Sequence, residues 1–207
     1  MPVRIVSTGG GGITLSAAST GSEFTATLPA NTGTVVTTAS SAAVTPAMLT
    51  QPMTLGTAQA STSGTSIDFT GIPSWARRVT VIFNGVSTTG TSPFLVQLGS
   101  GSVTTSGYTS VGSGIAATVN STTSTAGFVA GNVNTAASLA SGLFVFVNVS
   151  GTTWAGSGSV SQSAIPQTNL STGNSPALSG ALDRVRITTV GGTDTFDAGS
   201  INILYEG

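Results

Sequence analysis

The nearest approach to an acid–base pair in this sequence is Asp194 and Asp197, in the stretch TDTFDAG. Two carboxylates about 5–9.5 Å apart across a sugar ring are what glycoside hydrolysis requires. The same two side chains with nearby carbonyls could ligate calcium, although the alternating oxygen series of a calcium loop is missing. A simpler reading is a hairpin in which each Asp accepts local backbone hydrogen bonds. A second cluster is Asp183, Arg184 and Arg186, and a third is Arg77 with Arg78 at the start of an apolar alternation. These could bind an acidic glycan or partner; equally, they could form cross-strand ion pairs that set register and contact neighbouring subunits. The rings are the remaining candidates. Trp154 in GTTWAGSG and Tyr108 in SGYTS are placed to stack on a receptor sugar, or to fold back over the core. Trp75 in IPSWARR, just ahead of a strand, reads as a plug in the core or between subunits.

Composition narrows the chemistry. The 207 residues include no His and no Cys, and all five cations are Arg. Imidazole or thiolate metal sites, disulfides and a Ser-His-Asp triad are excluded. Ser and Thr abound, but no base is placed to activate one. The run Gly9–Gly12 is not a phosphate loop, because no Lys follows it. A net charge of −1 and scattered Arg offer no basic stripe for nucleic acid. No apolar run approaches the ~20 residues that span a bilayer. The expectation is a non-enzymatic protein with no cofactor and no metal, bound neither to nucleic acid nor into a membrane.

Hydrophobic residues make up 39% and mean hydropathy is +0.36, so the chain is not of the disordered class. A single body of this mass would bury about 70% of its unfolded surface. Only 5% of residues are charged, a weak defence against association. Hydroxyls keep a surface wet without ions that must be desolvated, which suits β-rich contacts between identical subunits. An obligate homo-oligomer is therefore expected; the competing reading is a Thr-rich β-domain that is soluble alone.

The fold class expected is all-β: an antiparallel β-sandwich, jelly-roll-like, over 56–207, preceded by an extended strand-forming arm over 1–55. In the arm, ITLSA, EFTATLP and TGTVVTT alternate with period two, and TPAMLTQPMTL follows as a Pro-bounded connector with room for at most one helical turn. In the body, IDFTGI, RVTVIFNGV, FLVQL and LDRVRITTV are the clearest strands. IAATV, GFVAG and GSVSQ are weaker. LFVFVNV is apolar on both faces at its start and reads as a central strand. Gly191–Gly192 marks a tight turn before SINILYE.

ASTSGTSIDFTGIPSWARRVTVIFNGVSTTGTSPFLVQLG (60–99) and LSGALDRVRITTVGGTDTFDAGSINILYE (178–206) resemble segments of tailed-bacteriophage tail-fibre and related virion proteins. GIPSW and DTFDAGSINILYE are the specific parts. The arm resembles the stalk or attachment region that precedes such domains. The resemblance implies a β-sandwich, a homotrimer in many relatives, and a role in virion architecture or host attachment. The partners it implies are copies of the chain, other virion proteins through the arm, and a host cell-surface glycan. Within that class a capsid decoration or head-fibre subunit is the alternative; outside it stand a polysaccharide depolymerase and a free carbohydrate-binding module.

Overall fold

The computed structural model describes residues 3–6, 12–15, 51–131, 135–136, 138–164 and 167–207. The chain divides into two units, Met1–Ala43 and Val44–Gly207. In the first, β1 (Val3–Val6) and β2 (Gly12–Leu15) pair antiparallel, with Arg4 opposite Thr14. The expected strands EFTATLP and TGTVVTT, and the residues up to 50, lie outside the described residues.

The second unit is an antiparallel β-sandwich. Its strands are β3 (Thr54–Leu55), β4 (Gln59–Ala60), β5 (Ile67–Thr70), β6 (Arg78–Thr88), β7 (Phe94–Ser100), β8 (Ser102–Val103) and β9 (Thr109–Ile115). They continue as β10 (Val119–Ser124), β11 (Phe128–Gly131), β12 (Ala140–Ser150), β13 (Thr153–Gln162), β14 (Gln167–Asn174), β15 (Arg184–Thr189) and β16 (Phe196–Glu206). The larger sheet runs β10-β9-β14-β13-β12-β6-β16-β3, with β4 also on β16. The smaller runs β11-β7-β15-β5, with β8 on β7. No helix occurs among the described residues. β3 and β4 both pair with β16; β3 brings into the sandwich Thr54 and Leu55, which the sequence reading assigned to the end of the arm.

Alternation sets the core. Val79, Val81 and Phe83 of β6 point inward, as do Val185 and Ile187 of β15 and Phe94, Val96 and Leu98 of β7. Phe128 meets Tyr108 edge-on at 5.3 Å and Phe146 at 4.9 Å; Phe94 lies against Phe83 and Phe196. Each such ring contributes roughly 1.5–3 kcal/mol by leaving water.

β12 settles the phase that the sequence left open. Phe144 and Phe146 face the core, while Leu143, Val147 and Val149 face out. The cause is on the neighbouring strand. Phe144 pairs with Gly158 and Phe146 with Gly156, and the rings occupy the space that side chains there would need. A Cβ on Gly156 would stand 2.7 Å from Phe146 Cδ1, and one on Gly158 only 2.4 Å from the Leu143 carbonyl oxygen. IAATV, read as a strand, is instead the tip of a hairpin: Ile115 ends β9 and Val119 begins β10.

Candidate functional site

The rings proposed for receptor contact are not available for it. Trp154 is 2% exposed and lies on β13 inside the core, not in a loop. Its backbone N–H donates to Ser175 Oγ at 2.9 Å, which ties the strand to the segment after β14. Tyr108 is also 2% exposed. Its hydroxyl accepts the Leu98 N–H at 2.9 Å and reaches the carbonyls of Leu98 at 3.1 Å and Thr104 at 3.0 Å. That arrangement clamps the β7–β9 connection from inside. Burial pushes its phenol up to about 12, against a smaller opposite pull from the Leu98 N–H. A stacking platform needs an open ring face, and neither residue has one; the reading of both as folded back over the core is the one the geometry fits.

Among the described residues, three Arg–carboxylate pairs form. Arg186 stands opposite Asp68 in register and holds its carboxylate by two hydrogen bonds, both 2.7 Å. Asp183 accepts Arg184 Nε at 2.7 Å and the Gly101 N–H at 3.0 Å; the Arg184 bond is the main reason its carboxyl is held low. Arg78 meets Glu206 at 3.0 Å. Beside it, Trp75 packs on Tyr205 at 5.8 Å, and Arg77 Nη1 donates to the Ser74 carbonyl at 3.3 Å. Trp75, Arg77 and Arg78 therefore gather where β6 starts and β16 ends.

Asp194 and Asp197 do not converge on shared chemistry. Asp194 Oδ2 accepts the Ser92 N–H at 2.9 Å, and Asp197 Oδ1 accepts the Ser87 hydroxyl. Among the described residues, no group of three or more His, Cys, Asp or Glu comes together to hold a metal ion.

What sequence reasoning did not single out is a surface. No charged residue occurs between Arg78 and Asp183. That interval supplies β10, β9, β14, β13 and β12, five adjacent strands of the larger sheet. Their outward positions carry only aliphatic side chains, hydroxyls and amides. Val119 lies opposite Ile115, Leu170 opposite Ser113 and Ser159, and Leu143 opposite Ile82 of β6. Val119 is 67% exposed, and Leu143 and Leu170 are each 49% exposed. Scattered exposed aliphatics are ordinary. Here a run of them shares one face with no ion on it. The signal was present in the sequence as the charge-free interval, but its placement on one face needed the topology.

No protein-family model, curated protein or solved structure matches the chain.

Proposed function

We propose that the chain is a structural subunit of a tailed-phage virion, a short tail fibre or spike, that assembles with copies of itself and carries adhesion to the host surface. The observation behind this reading is the ion-free outer face of β10–β12. Two copies meeting there desolvate no charge, so the usual penalty against burying a polar surface is small. Five strands at ~4.8 Å spacing and about seven residues at ~3.3 Å give a flat footprint of roughly 550 Å². That is the scale of one side of a standard interface, about 800 Å² of accessible area per partner. The edge strand β10 pairs only with β9 and carries neither charge nor Pro, so it is open to strand addition. The N-terminal arm would attach to other virion proteins by the same means. The likeness of 60–99 and 178–206 to fibre proteins supplies the virion assignment.

Native mass spectrometry of the full chain tests the assembly. The wild type is expected as an oligomer at micromolar concentration. Leu143→Lys with Leu170→Lys is expected to give monomers with an unchanged circular dichroism spectrum. A monomeric wild type removes the reading. Immunogold labelling of intact particles tests the location, with labelled tails expected. A clearing-halo assay with Asp194→Asn and Asp197→Asn variants addresses depolymerase activity; no halo from the wild type is expected.

A further inference from the structure

Asn84 is the one Asn in the chain that is followed by Gly. The pair sits where β6 departs from its ladder on both sides. Toward β12, Ala140 pairs with Val86 and Gly142 with Phe83, so Ser141 faces both Asn84 and Gly85. Toward β16, Ala198 pairs with Ser87 and Ser200 with Asn84, so Gly199 faces both Gly85 and Val86. Gly85 belongs to both bulges, and its φ of +62° is one that glycine adopts without strain.

The double bulge loosens the groups that normally hold a strand amide still. Gly85 N–H donates to the Ser141 hydroxyl at 3.0 Å, a side-chain partner that can rotate away. The Asn84 side chain is exposed, and its amide donates to Ser200 Oγ at 3.4 Å, a long bond. Among the described residues, nothing beyond its chain neighbours stands within 4 Å of the point a Gly85 Cβ would occupy, so water reaches that side. With no side chain on Gly85, its nitrogen is not crowded. Phe83 and Val86 are anchored in the core on either side, so the rest of β6 need not open for the pair to react.

We infer that Asn84–Gly85 is a self-modification site at which the side-chain amide is lost as ammonia. The Gly85 nitrogen attacks Asn84 Cγ. The new N–Cγ bond closes a five-membered succinimide and the Cγ–Nδ2 bond breaks. The Gly85 proton, passed through water, leaves with the amide nitrogen as ammonia. Water then opens the ring at one of its two carbonyls. Cleavage of the N–Cγ bond leaves an aspartyl residue; cleavage of the original peptide bond leaves an isoaspartyl residue, with the chain rerouted through Cγ. Water is the only co-reactant. The consequence is electrostatic. Asn84 shares the outward phase of Ile82 on β6, the strand beside β12 and its ion-free face. Either product places a carboxylate there. In the proposed assembly, on which this consequence rests, the contact between copies weakens as the protein ages.

The test ages the full chain at pH 6 and pH 8 and digests it with pepsin in acid, which preserves the succinimide. Within 79–94 Asn84 is the only amide side chain, so mass spectrometry of peptides from that stretch reads the exchange directly. Asn120 and Asn174, both exposed and both followed by Ser, are the internal comparators. Acid is expected first at Asn84, faster at pH 8, as a mixture of aspartyl and isoaspartyl forms. Ser141→Ala, with an unchanged circular dichroism spectrum, is expected to speed the exchange about fivefold, the rate equivalent of releasing one ordinary hydrogen bond. Asn84→Gln, whose longer side chain closes a six-membered ring more slowly, is expected to leave the peptide intact. Three results overturn the inference: Asn120 or Asn174 reacting ahead of Asn84, an aspartyl product with no isoaspartyl, or a Ser141→Ala rate equal to that of the wild type. Native mass spectrometry of the same samples reads the consequence separately. Dissociation that tracks the acid at Asn84, with aged Asn84→Gln still assembled, supports it; an oligomer unmoved by full conversion removes it. A wild type that is monomeric from the start removes the assembly and leaves the modification site to the peptide map.

Discussion

Tyr108 allows a stability measurement with little interference from other groups. Its hydroxyl is buried against Leu98 and Thr104, and its phenol is raised from 10.0 to about 12, chiefly because burial strips water from the phenolate. In the unfolded chain the proton leaves near pH 10; in the folded chain it stays until about 12. Between those values only the unfolded state gains from losing it. The stabilising contribution is therefore present in full well below pH 10 and is lost progressively as pH rises through 12, by roughly 2–3 kcal/mol in total. The chain has no Lys, His or Cys and only one other Tyr, Tyr205, so few groups compete in that window. Urea unfolding followed by Trp fluorescence at pH 8, 10, 11 and 12 measures the slope at fixed protein concentration. Tyr108→Phe is expected to cost about 1–3 kcal/mol at pH 8, because the buried Leu98 N–H loses its acceptor. It is also expected to remove most of the decline between pH 10 and 12. Equal slopes in the two proteins would refute the assignment of the alkaline loss to this phenol.

Three further outcomes follow from the packing. Gly158→Ala drives a Cβ to 2.4 Å from the Leu143 carbonyl oxygen and 2.7 Å from Phe144 Cα, with a cost of about 3 kcal/mol expected in urea unfolding. Gln162 is 4% exposed, and neither its amide nitrogen nor its amide oxygen has a partner among the described residues; Gln162→Met is expected to raise Tm by roughly 2–4 °C in calorimetry. Asp68→Asn breaks a half-exposed pair and is expected to cost less than about 1 kcal/mol.

How much of this was legible in the sequence depended on side-chain size. β6 and β15 were readable because Val, Ile and Phe alternate there with polar residues and their buried sets include the residues the alternation named, and β7 was readable as a short apolar run. The Gly191–Gly192 turn was readable too, and Gly192 N–H donates to the Thr189 carbonyl at 2.9 Å. β9, β13 and β14 were largely unreadable, since apart from Trp154 and Val160 of β13 their inward positions are Gly, Ser, Asn and Gln, residues that also populate loops. On β13, Gly156 and Gly158 are inward because Phe144 and Phe146 of β12 fill the space, and on β9, Gly112 meets Val129 of β11 while Gly114 meets Gln167 and Asn169 of β14. That cause lies on other strands and leaves no local trace. The same reason explains Trp154 and Tyr108. Flanking Gly, Ser and Thr suggested loops, while the structure puts one ring in a strand and the other at the mouth of one, both turned inward.

The missing charges bear on function more directly than any single side chain. On an antiparallel sheet the outward alternate positions face water, and a Lys or Glu there costs almost nothing. A surface meant only for solvent would accept them at something near the ordinary share of about 25%. Across five neighbouring strands this chain has none, while the ions of the second unit sit on β5, β6, β15 and β16 and the loops beside them. Thr and Ser preserve solubility before contact, and aliphatic side chains such as Val119, Leu143 and Leu170 supply the gain on contact. In the proposed assembly such a face tolerates water before contact and meets the equally ion-free face of a second copy on contact.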